Sequence, residues 1–272
     1  MAKNIIIASP HGFCGGVKRA IDIAQTADPS NTYLLGDIVH NDHVVKSLKI
    51  KTVKHLDEIP TGSSVIIRAH GAPPIIYQEA KNKKLNIIDA TCPLVLQVHK
   101  FVRKNKNKNI IYLVSDKNHD EAIGVVAQSS NIYAYKLDEF ENINVNDNSV
   151  LITQTTLSVQ ETKKAIDYLK NKFPKLEIFP HICPATTDRQ KAVLELANNC
   201  DVILIIGSPN SSNSLRLYET AISTGKPAHI IDSITEINSQ WFNNYKNIGI
   251  SSGASTPENI LKEVYDYLAT LD

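Results

Sequence analysis

Short apolar runs alternate along the chain with stretches in which apolar residues recur every three or four positions. A continuous aliphatic run is typical of a strand buried on both faces, whereas the longer period is typical of a helix with one apolar side. The runs predict strands near residues 5–7, 32–35, 65–68, 110–114, 149–153, 202–206 and 247–250. The periodic stretches predict helices near residues 17–24, 75–83, 94–102, 159–172, 188–197 and 215–223. This alternation predicts an α/β protein with mostly parallel sheets covered by helices on both faces.

One layout of strands and helices occurs three times. Cys14, Cys92 and Cys183 each follow an apolar run, precede a helical stretch and divide the chain into near-thirds. The last third lacks the strand that should follow its final helix, so the N-terminal strand 3–8 is predicted to complete its sheet. We therefore predict a trefoil of three pseudo-threefold-related α/β domains around a central cavity, formed by residues 10–91, by residues 92–182, and by residues 183–272 together with strand 3–8.

Polar segments follow the predicted strands, at the edge where parallel sheets bind their ligands. These strand-end segments contain His40, His70, His119, Glu121, Thr153, Gln154, Thr155, Ser211, Ser212, Asn213 and Ser255. Hydroxyls, an amide, imidazoles and helix N-termini suit a small anion such as phosphate. The alternative for the serine-rich run is that it caps the following helix, and a lone histidine is most often structural or solvated.

Glu121 is the only carboxylate that lies beside a histidine on one of these segments, whereas Asp42 and Asp120 resemble helix starts. Burial raises the pKa of a carboxyl group, so Glu121 is a candidate proton donor. The alternative is a charge that interacts favourably with the first turn of a helix.

The cysteines suggest metal binding or nucleophilic chemistry. Gly12, Gly15 and Gly16 surround Cys14 at a predicted helix N-terminus, where a thiol can ligate a metal or attack an electrophile. Cys200 lies beside a buried strand and is interpreted as a core residue. The chain contains no C-x-x-C pair, which argues against a zinc ribbon or a thioredoxin-type dithiol. Three converging thiols could bind zinc with a histidine, or an iron–sulfur cubane with one iron left for a substrate oxygen.

The amino-acid composition limits the classes of protein to which the chain can belong. The chain has 272 residues, of which 42% are hydrophobic and 21% charged, so it can form a globular core. A net charge of +1 gives no reason to expect nucleic acid or an acidic membrane as a partner. The apolar runs are too short for a membrane span, and the N-terminal run is too short for a signal peptide. We expect a cytoplasmic protein whose thiols are not disulfides.

A set of motifs, distributed over essentially the whole chain, resembles the 4-hydroxy-3-methylbut-2-enyl diphosphate reductase family of the non-mevalonate isoprenoid pathway. They are G-F-C-G-G-V at 12–17, V-H-N at 39–41, A-H-G at 69–71, D-A-T-C-P-L-V at 89–95, H-x-E at 119–121, T-Q-T-T-L-S at 153–158, I-C-P-A-T-x-x-R-Q at 182–190, N-S-S-N-S at 210–214 and G-A-S-T-P at 253–257.

The resemblance implies a [4Fe–4S] cluster held by Cys14, Cys92 and Cys183, with the substrate hydroxyl at the fourth iron. It implies proton delivery by Glu121, with Thr155 and His119 as its catalytic partners. The allylic diphosphate would be bound by His40, His70, His119, Thr155, Ser211, Ser212, Asn213 and Ser255. Electrons would come singly from ferredoxin or flavodoxin. The alternative function is a non-redox metal-binding or phosphate-binding protein.

Overall fold

The computed structural model describes residues 3–271, and their strands form three four-stranded parallel sheets. The strands are β1 (Asn4–Ile7), β2 (Thr32–Leu35), β3 (Lys51–Val53), β4 (Ser64–Ile67), β5 (Asn86–Asp89), β6 (Asn109–Val114), β7 (Ile132–Lys136), β8 (Ser149–Thr153), β9 (Glu177–Phe179), β10 (Val202–Ile206), β11 (Ala228–Ile231) and β12 (Asn247–Ser252). The predicted α/β class with parallel sheets is confirmed.

Each sheet has the same kind of strand order. The orders are β3-β2-β4-β5, β7-β6-β8-β9 and β1-β12-β10-β11, so two central strands lie between two edge strands in every case. In the last sheet β1 pairs with β12 in parallel, with Asn4 opposite Asn247 and Ile7 opposite Ile250. The predicted pairing of the N-terminal strand is therefore present.

Nine α-helices connect and cover these sheets within residues 3–271. They are α1 (Gly15–Thr26), α2 (Asp42–Ser47), α3 (Pro74–Asn82), α4 (Pro93–Lys104), α5 (Asp120–Val126), α6 (Val159–Lys172), α7 (Pro184–Ala197), α8 (Ser212–Ser223) and α9 (Glu258–Leu268). Among them, none combines the length and the apolar composition that crossing a bilayer requires.

The chain forms two compact units. The first unit contains residues 3–14, His40–Lys46 and 184–271, and the second contains Gly15–Val39 and Ser47–Cys183. The sheet that includes β1 belongs to the first unit, and the other two sheets belong to the second. Each sheet falls within one of the three predicted domain ranges, and the division into three domains stays a prediction.

The core of the first unit has two apolar layers separated by its sheet. Alternate residues of β10 point to opposite faces, so Leu204 contributes to a cluster with α9 and Ile205 to a cluster with α7 and α8. Cys200 lies in the second of these clusters at 2% exposure, and burial raises the pKa of its thiol to about 11. Its assignment as a core residue is consistent with this environment.

The sheets of the second unit are packed in the same way. In β6, Tyr112 faces a cluster with α4 and α5, whereas Leu113 faces a cluster with α6. Val65 of β4 packs against Ala80 of α3. The continuous apolar character of these strands follows from their burial on both faces.

Two helices begin earlier than their apolar periodicity predicts. Helix α7 begins at Pro184 instead of residue 188, and α8 begins at Ser212 instead of residue 215. Their first turns are polar, which interrupts the apolar pattern without interrupting the helix. In α8, the Ser211 hydroxyl accepts a hydrogen bond from the Ser214 N–H at 3.4 Å and caps the helix.

The close approach of α7 to β12 depends on a glycine. A Cβ atom on Gly249 would lie 2.8 Å from Leu196 Cγ and 2.9 Å from Cys200 Sγ. Gly249→Ala should therefore lower the free energy of unfolding by about 1–3 kcal/mol, because the helix must move to accept a methyl group. Urea unfolding of the metal-free protein measures this.

Gly15→Ala is the matched control, because its Cβ would meet no described atom within 4 Å beyond its two chain neighbours and the adjacent backbone of α1. This substitution should change the stability by no more than about 1 kcal/mol. Equal stabilities of Gly249→Ala and the wild type would contradict the close contact.

Candidate active site

The ends of β6 and β8 bring Glu121 and Thr155 together in the second unit. The two strands are paired in parallel, with Leu113 opposite Thr153, so the segments that follow them emerge side by side. The Thr155 N–H donates to Glu121 Oε1 at 2.9 Å, and its hydroxyl donates to Oε2 at 2.7 Å. Both carboxyl oxygens are thus held by one residue, and the Glu121 residue is only 3% exposed.

Two opposing effects act on the Glu121 carboxyl group. Burial raises its pKa, and the backbone and side-chain hydrogen bonds from Thr155 act in the opposite direction. Burial dominates, and the pKa of Glu121 is raised above its usual value. A carboxyl group with a raised pKa holds its proton more strongly and is suited to general acid catalysis.

His119 lies immediately before α5 and caps it. Its Nδ1 accepts a hydrogen bond from the Glu121 N–H at 3.1 Å, so in the neutral ring the proton is on Nε2. The ring of His70 lies edge-on to that of His119, with a centroid separation of 5.6 Å. Gln154 Nε2 is 3.4 Å from His119 Nδ1. The second unit therefore brings two predicted histidines together beside the Glu121 segment.

Each cysteine predicted as a ligand is bonded through its backbone to a strand-end segment. In the second unit, the Cys92 N–H donates to Ala69 O at 2.9 Å, and the Cys183 N–H donates to Thr155 O at 3.0 Å. In the first unit, the Cys14 N–H donates to Ala254 O at 3.1 Å. These bonds join the cysteine segments to the segments of His70, Thr155 and Ser255, respectively.

The Cys14 segment lies against the end of β12. Gly12 has φ +67°, and a Cβ atom at this position would collide with the Glu258 carboxylate. The Gly12 N–H donates to Ser252 Oγ at 2.9 Å. Glycine is therefore favoured here by the backbone angle, whereas the exposed Glu258 side chain can move away from an added methyl group.

The first unit contains buried polar groups that fit an anion. Asn213, in the first turn of α8, and Ser255, after β12, are 6% and 5% exposed. Asn213 Nδ2 and Ser255 Oγ have no hydrogen-bond partner among the described residues. An unsatisfied buried donor costs about 1–3 kcal/mol, so a ligand rich in acceptor oxygens would remove this cost.

Small residues bring these two segments close together. A Cβ atom on Gly207, after β10, or on Gly253, after β12, would collide with the hydroxyl of Ser214 in the first turn of α8. The N-terminus of α8, with its positive dipole end, therefore lies against both strand ends. This arrangement is typical of sites that bind phosphate groups.

Two further predicted binding residues, Ser212 and His40, are also partly buried. Ser212 is the first residue of α8 and is half-buried. His40, also half-buried, directly precedes Asn41, whose Oδ1 accepts a hydrogen bond from the Val44 N–H at the start of α2. The assignment of these side chains to substrate, and of the cysteines to a metal, stays a prediction.

Sequence reasoning gave His99 no role, yet it supports the site in the second unit. His99 is 2% exposed on α4. A Cβ atom on Gly71 would lie 2.9 Å from its Cε1, and one on Gly124 would lie 3.5 Å from its Nε2. The His70 segment, α4 and α5 therefore meet at this ring. Its position on the buried stripe of α4, beside Val98 and Val102, was the available signal.

Arg189 is the second residue that sequence reasoning missed. It was noted only as part of a motif, although it lies on the buried stripe of α7 with Thr186, Val193 and Leu196. The spacing of three and four residues indicates that its side chain faces the core.

The strand ends of these parallel sheets carry cysteines, a buried acid and hydrogen-bond donors suited to an anion. These features are typical of an α/β enzyme. The profile of the LytB protein family matches residues 5–269. The chain belongs to the LytB protein family.

Named relatives and solved structures agree with this membership. A 4-hydroxy-3-methylbut-2-enyl diphosphate reductase from Acidothermus cellulolyticus is 39% identical over 98% of this chain and 83% of its own length. One from Buchnera aphidicola is 43% identical over 97% of this chain and 88% of its own length. The structure of the E-1-hydroxy-2-methyl-but-2-enyl-4-diphosphate reductase from Plasmodium falciparum matches with a TM-score of 0.92 and 34% identity, over 98% of this chain and 88% of that one.

The burial of His99 predicts a pH dependence of stability. Burial, assisted by the charge of Arg103, lowers the pKa of His99 to about 4, whereas the unfolded imidazole titrates near 6.5. The unfolded chain therefore binds the proton first, and stability falls as pH decreases from about 6.5 towards 4. In urea unfolding, His99→Gln should remove on the order of 3 kcal/mol of this decline.

The exposed His55 provides the control, since His55→Gln should leave the decline as it is in the wild type. If the stabilities of His99→Gln and the wild type differ by the same amount at every pH between 4 and 7, the buried neutral imidazole is refuted.

Proposed function

We propose that this protein catalyses the reductive dehydroxylation of 4-hydroxy-3-methylbut-2-enyl diphosphate to isopentenyl diphosphate and dimethylallyl diphosphate. The observation that carries the proposal is the buried Glu121 carboxyl group, held by Thr155, in a chain of the LytB family. Relatives named for this reaction are about 40% identical over nearly the whole chain. A proton donor is the group that such a reaction requires from the protein itself.

The reaction balances with two electrons and two protons. The bond between carbon and the hydroxyl oxygen breaks, and one proton converts that oxygen to water. The second proton forms a new C–H bond at either end of the allyl system, which gives the two products. The diphosphate group is unchanged, so it can serve as the handle by which the substrate is bound.

Cys14, Cys92 and Cys183 are suitable ligands for a [4Fe–4S] cluster. All three are partly exposed at strand ends, whereas Cys200 is buried, and none of these four cysteines forms a disulfide. Three thiolates fit a cubane that keeps one iron without a protein ligand. When bound, such a cluster supplies single electrons and a Lewis-acidic iron. The electrons would come from an external one-electron donor of the ferredoxin or flavodoxin type.

Glu121 acts as the proton donor. Burial raises its pKa, which favours the protonated form, and the Thr155 N–H fixes the position of Oε1. The Thr155 hydroxyl can exchange donor and acceptor roles with Oε2 as that proton moves. His119 orients the start of α5 because its Nδ1 accepts a hydrogen bond from the Glu121 N–H.

The diphosphate would be bound by polar side chains of the strand-end segments. We assign it to His40, His70, His119, Thr155, Ser211, Ser212, Asn213 and Ser255. The unsatisfied donors of Asn213 and Ser255 support this assignment, because phosphate oxygens would accept their hydrogen bonds. The N-terminus of α8 adds favourable electrostatics for a negative ligand.

The cluster assignment predicts the metal content. Protein purified anaerobically should be brown and hold about three to four irons per chain. Cys92→Ser should lose most of this iron, because it removes one of three ligands, whereas Cys200→Ala should retain it. Iron analysis and visible absorption measure both. A colourless wild type with a single zinc would instead favour the non-redox metal-binding alternative.

The proton-donor role predicts a selective loss of turnover. Glu121→Gln should lower the rate of product formation by about 10²–10⁴-fold, because the amide keeps the contacts of the carboxyl group but cannot supply its proton. Iron content and diphosphate binding should be unchanged. The exposed Glu141→Gln is the matched control and should be fully active. Turnover of Glu121→Gln close to the wild-type rate would remove Glu121 from this role.

A further inference from the structure

A buried arginine contacts the segment that carries Cys14. Arg189 of α7 is 3% exposed. Its Nη2 donates to the carbonyl oxygen of Gly12 at 2.8 Å, and its Nη1 donates to the carbonyl oxygen of Ala185 at 3.2 Å. Gly12 precedes Cys14 by two residues, and Ala185 follows Cys183 by two residues. One guanidinium group thus bridges two segments that are adjacent in sequence to proposed ligands.

The Gly12 peptide groups are held from two sides. The N–H of Gly12 donates to Ser252 Oγ, and its carbonyl oxygen accepts from Arg189. Gly12 has φ +67°, a left-handed backbone conformation that few residues other than glycine adopt. Since each residue spans at most about 3.6 Å, the Cys14 Cα lies within about 7 Å of that of Gly12.

Packing alone does not explain an arginine at this position. Its buried neighbours on α7 include the polar Thr186 and Gln190 as well as the apolar Val193 and Leu196. An apolar side chain of similar length would bury here without the cost of desolvating a charge. The guanidinium group is, in contrast, well suited to bridge two carbonyl oxygens, because its donors form a planar fork.

We propose that Arg189 is a positioning residue that holds the Cys14 segment in place for its metal, and that its positive charge makes the bound cluster easier to reduce. The second part rests on the proposed function, whereas the first concerns the protein without metal. Positive charge close to an iron–sulfur cluster raises its reduction potential because it stabilises the added electron.

Hydrogen exchange of the metal-free, full-length protein tests the positioning role. In Arg189→Met, amides of the peptide that contains Gly12 and Cys14 should exchange about tenfold faster or more, while those of β10 should be unchanged. Arg216→Met is the matched control: it removes another largely buried arginine of the first unit, one that pairs with Glu219. It should leave the exchange of this peptide as in the wild type.

Unchanged exchange in the Gly12 peptide, or an equal increase in β10, would overturn the positioning role, because the second result indicates general destabilisation. Arg189→Lys provides the same test if Arg189→Met does not fold. It keeps the charge but loses the fork, so it should also accelerate exchange in this peptide.

A redox titration of the iron-loaded protein tests the effect of the charge. The reduction potential should be more negative in Arg189→Met than in the wild type, and close to the wild-type value in Arg189→Lys. Equal potentials in all three proteins would overturn this part of the proposal. If the wild type binds no cluster, the proposed function fails, but the exchange experiment still decides the positioning role.

Discussion

A backbone hydrogen bond from each proposed ligand cysteine to a strand-end carbonyl is the interaction on which the organisation of the site depends. The acceptors are Ala69, Thr155 and Ala254, which lie in or beside the segments that carry the polar groups of the site. Each of these bonds is made by the main chain and does not involve the thiol. A displacement of a cysteine segment would therefore be transmitted directly to the neighbouring polar segment.

Several polar groups at these strand ends lower the stability of the fold, because they are buried without full compensation by hydrogen bonds. Glu121 is buried although burial disfavours its charged form, and its bonds to Thr155 offset only part of that cost. Asn213 and Ser255 keep donors that no described residue satisfies. The continuous apolar strands beneath them, such as β10, supply the stability that permits this.

The architecture could be predicted from the sequence because the spacing of apolar residues follows which side of each strand or helix is buried. The sequence predicted the parallel α/β class, the place of the N-terminal strand and the starts of α2 at Asp42 and α5 at Asp120. The predicted starts of α7 and α8 were less accurate, because their first turns are polar and an apolar pattern cannot detect them.

Local sequence patterns could not predict which distant segments contact each other. The periodicity places Arg189 and His99 on buried stripes, but it cannot show that one meets Gly12 and the other Gly71. Glu121 was proposed from its neighbour His119, whereas its bond to Thr155 depends on the pairing of β6 with β8. The resemblance to a family supplied the candidate ligands and binding residues, and the structure adds the local environment of each.

The pairing of β1 with β12 has a consequence for biosynthesis. The Cys14 segment is translated before the residues that hold it, because Ser252 and Ala254 each lie 240 positions after their hydrogen-bond partners, Gly12 and Cys14. Until then, β1 lacks its partner strand β12, and the Cys14 N–H lacks its acceptor, the Ala254 carbonyl oxygen. The Cys14 segment can therefore reach its observed conformation only after the C-terminal strand has been synthesised.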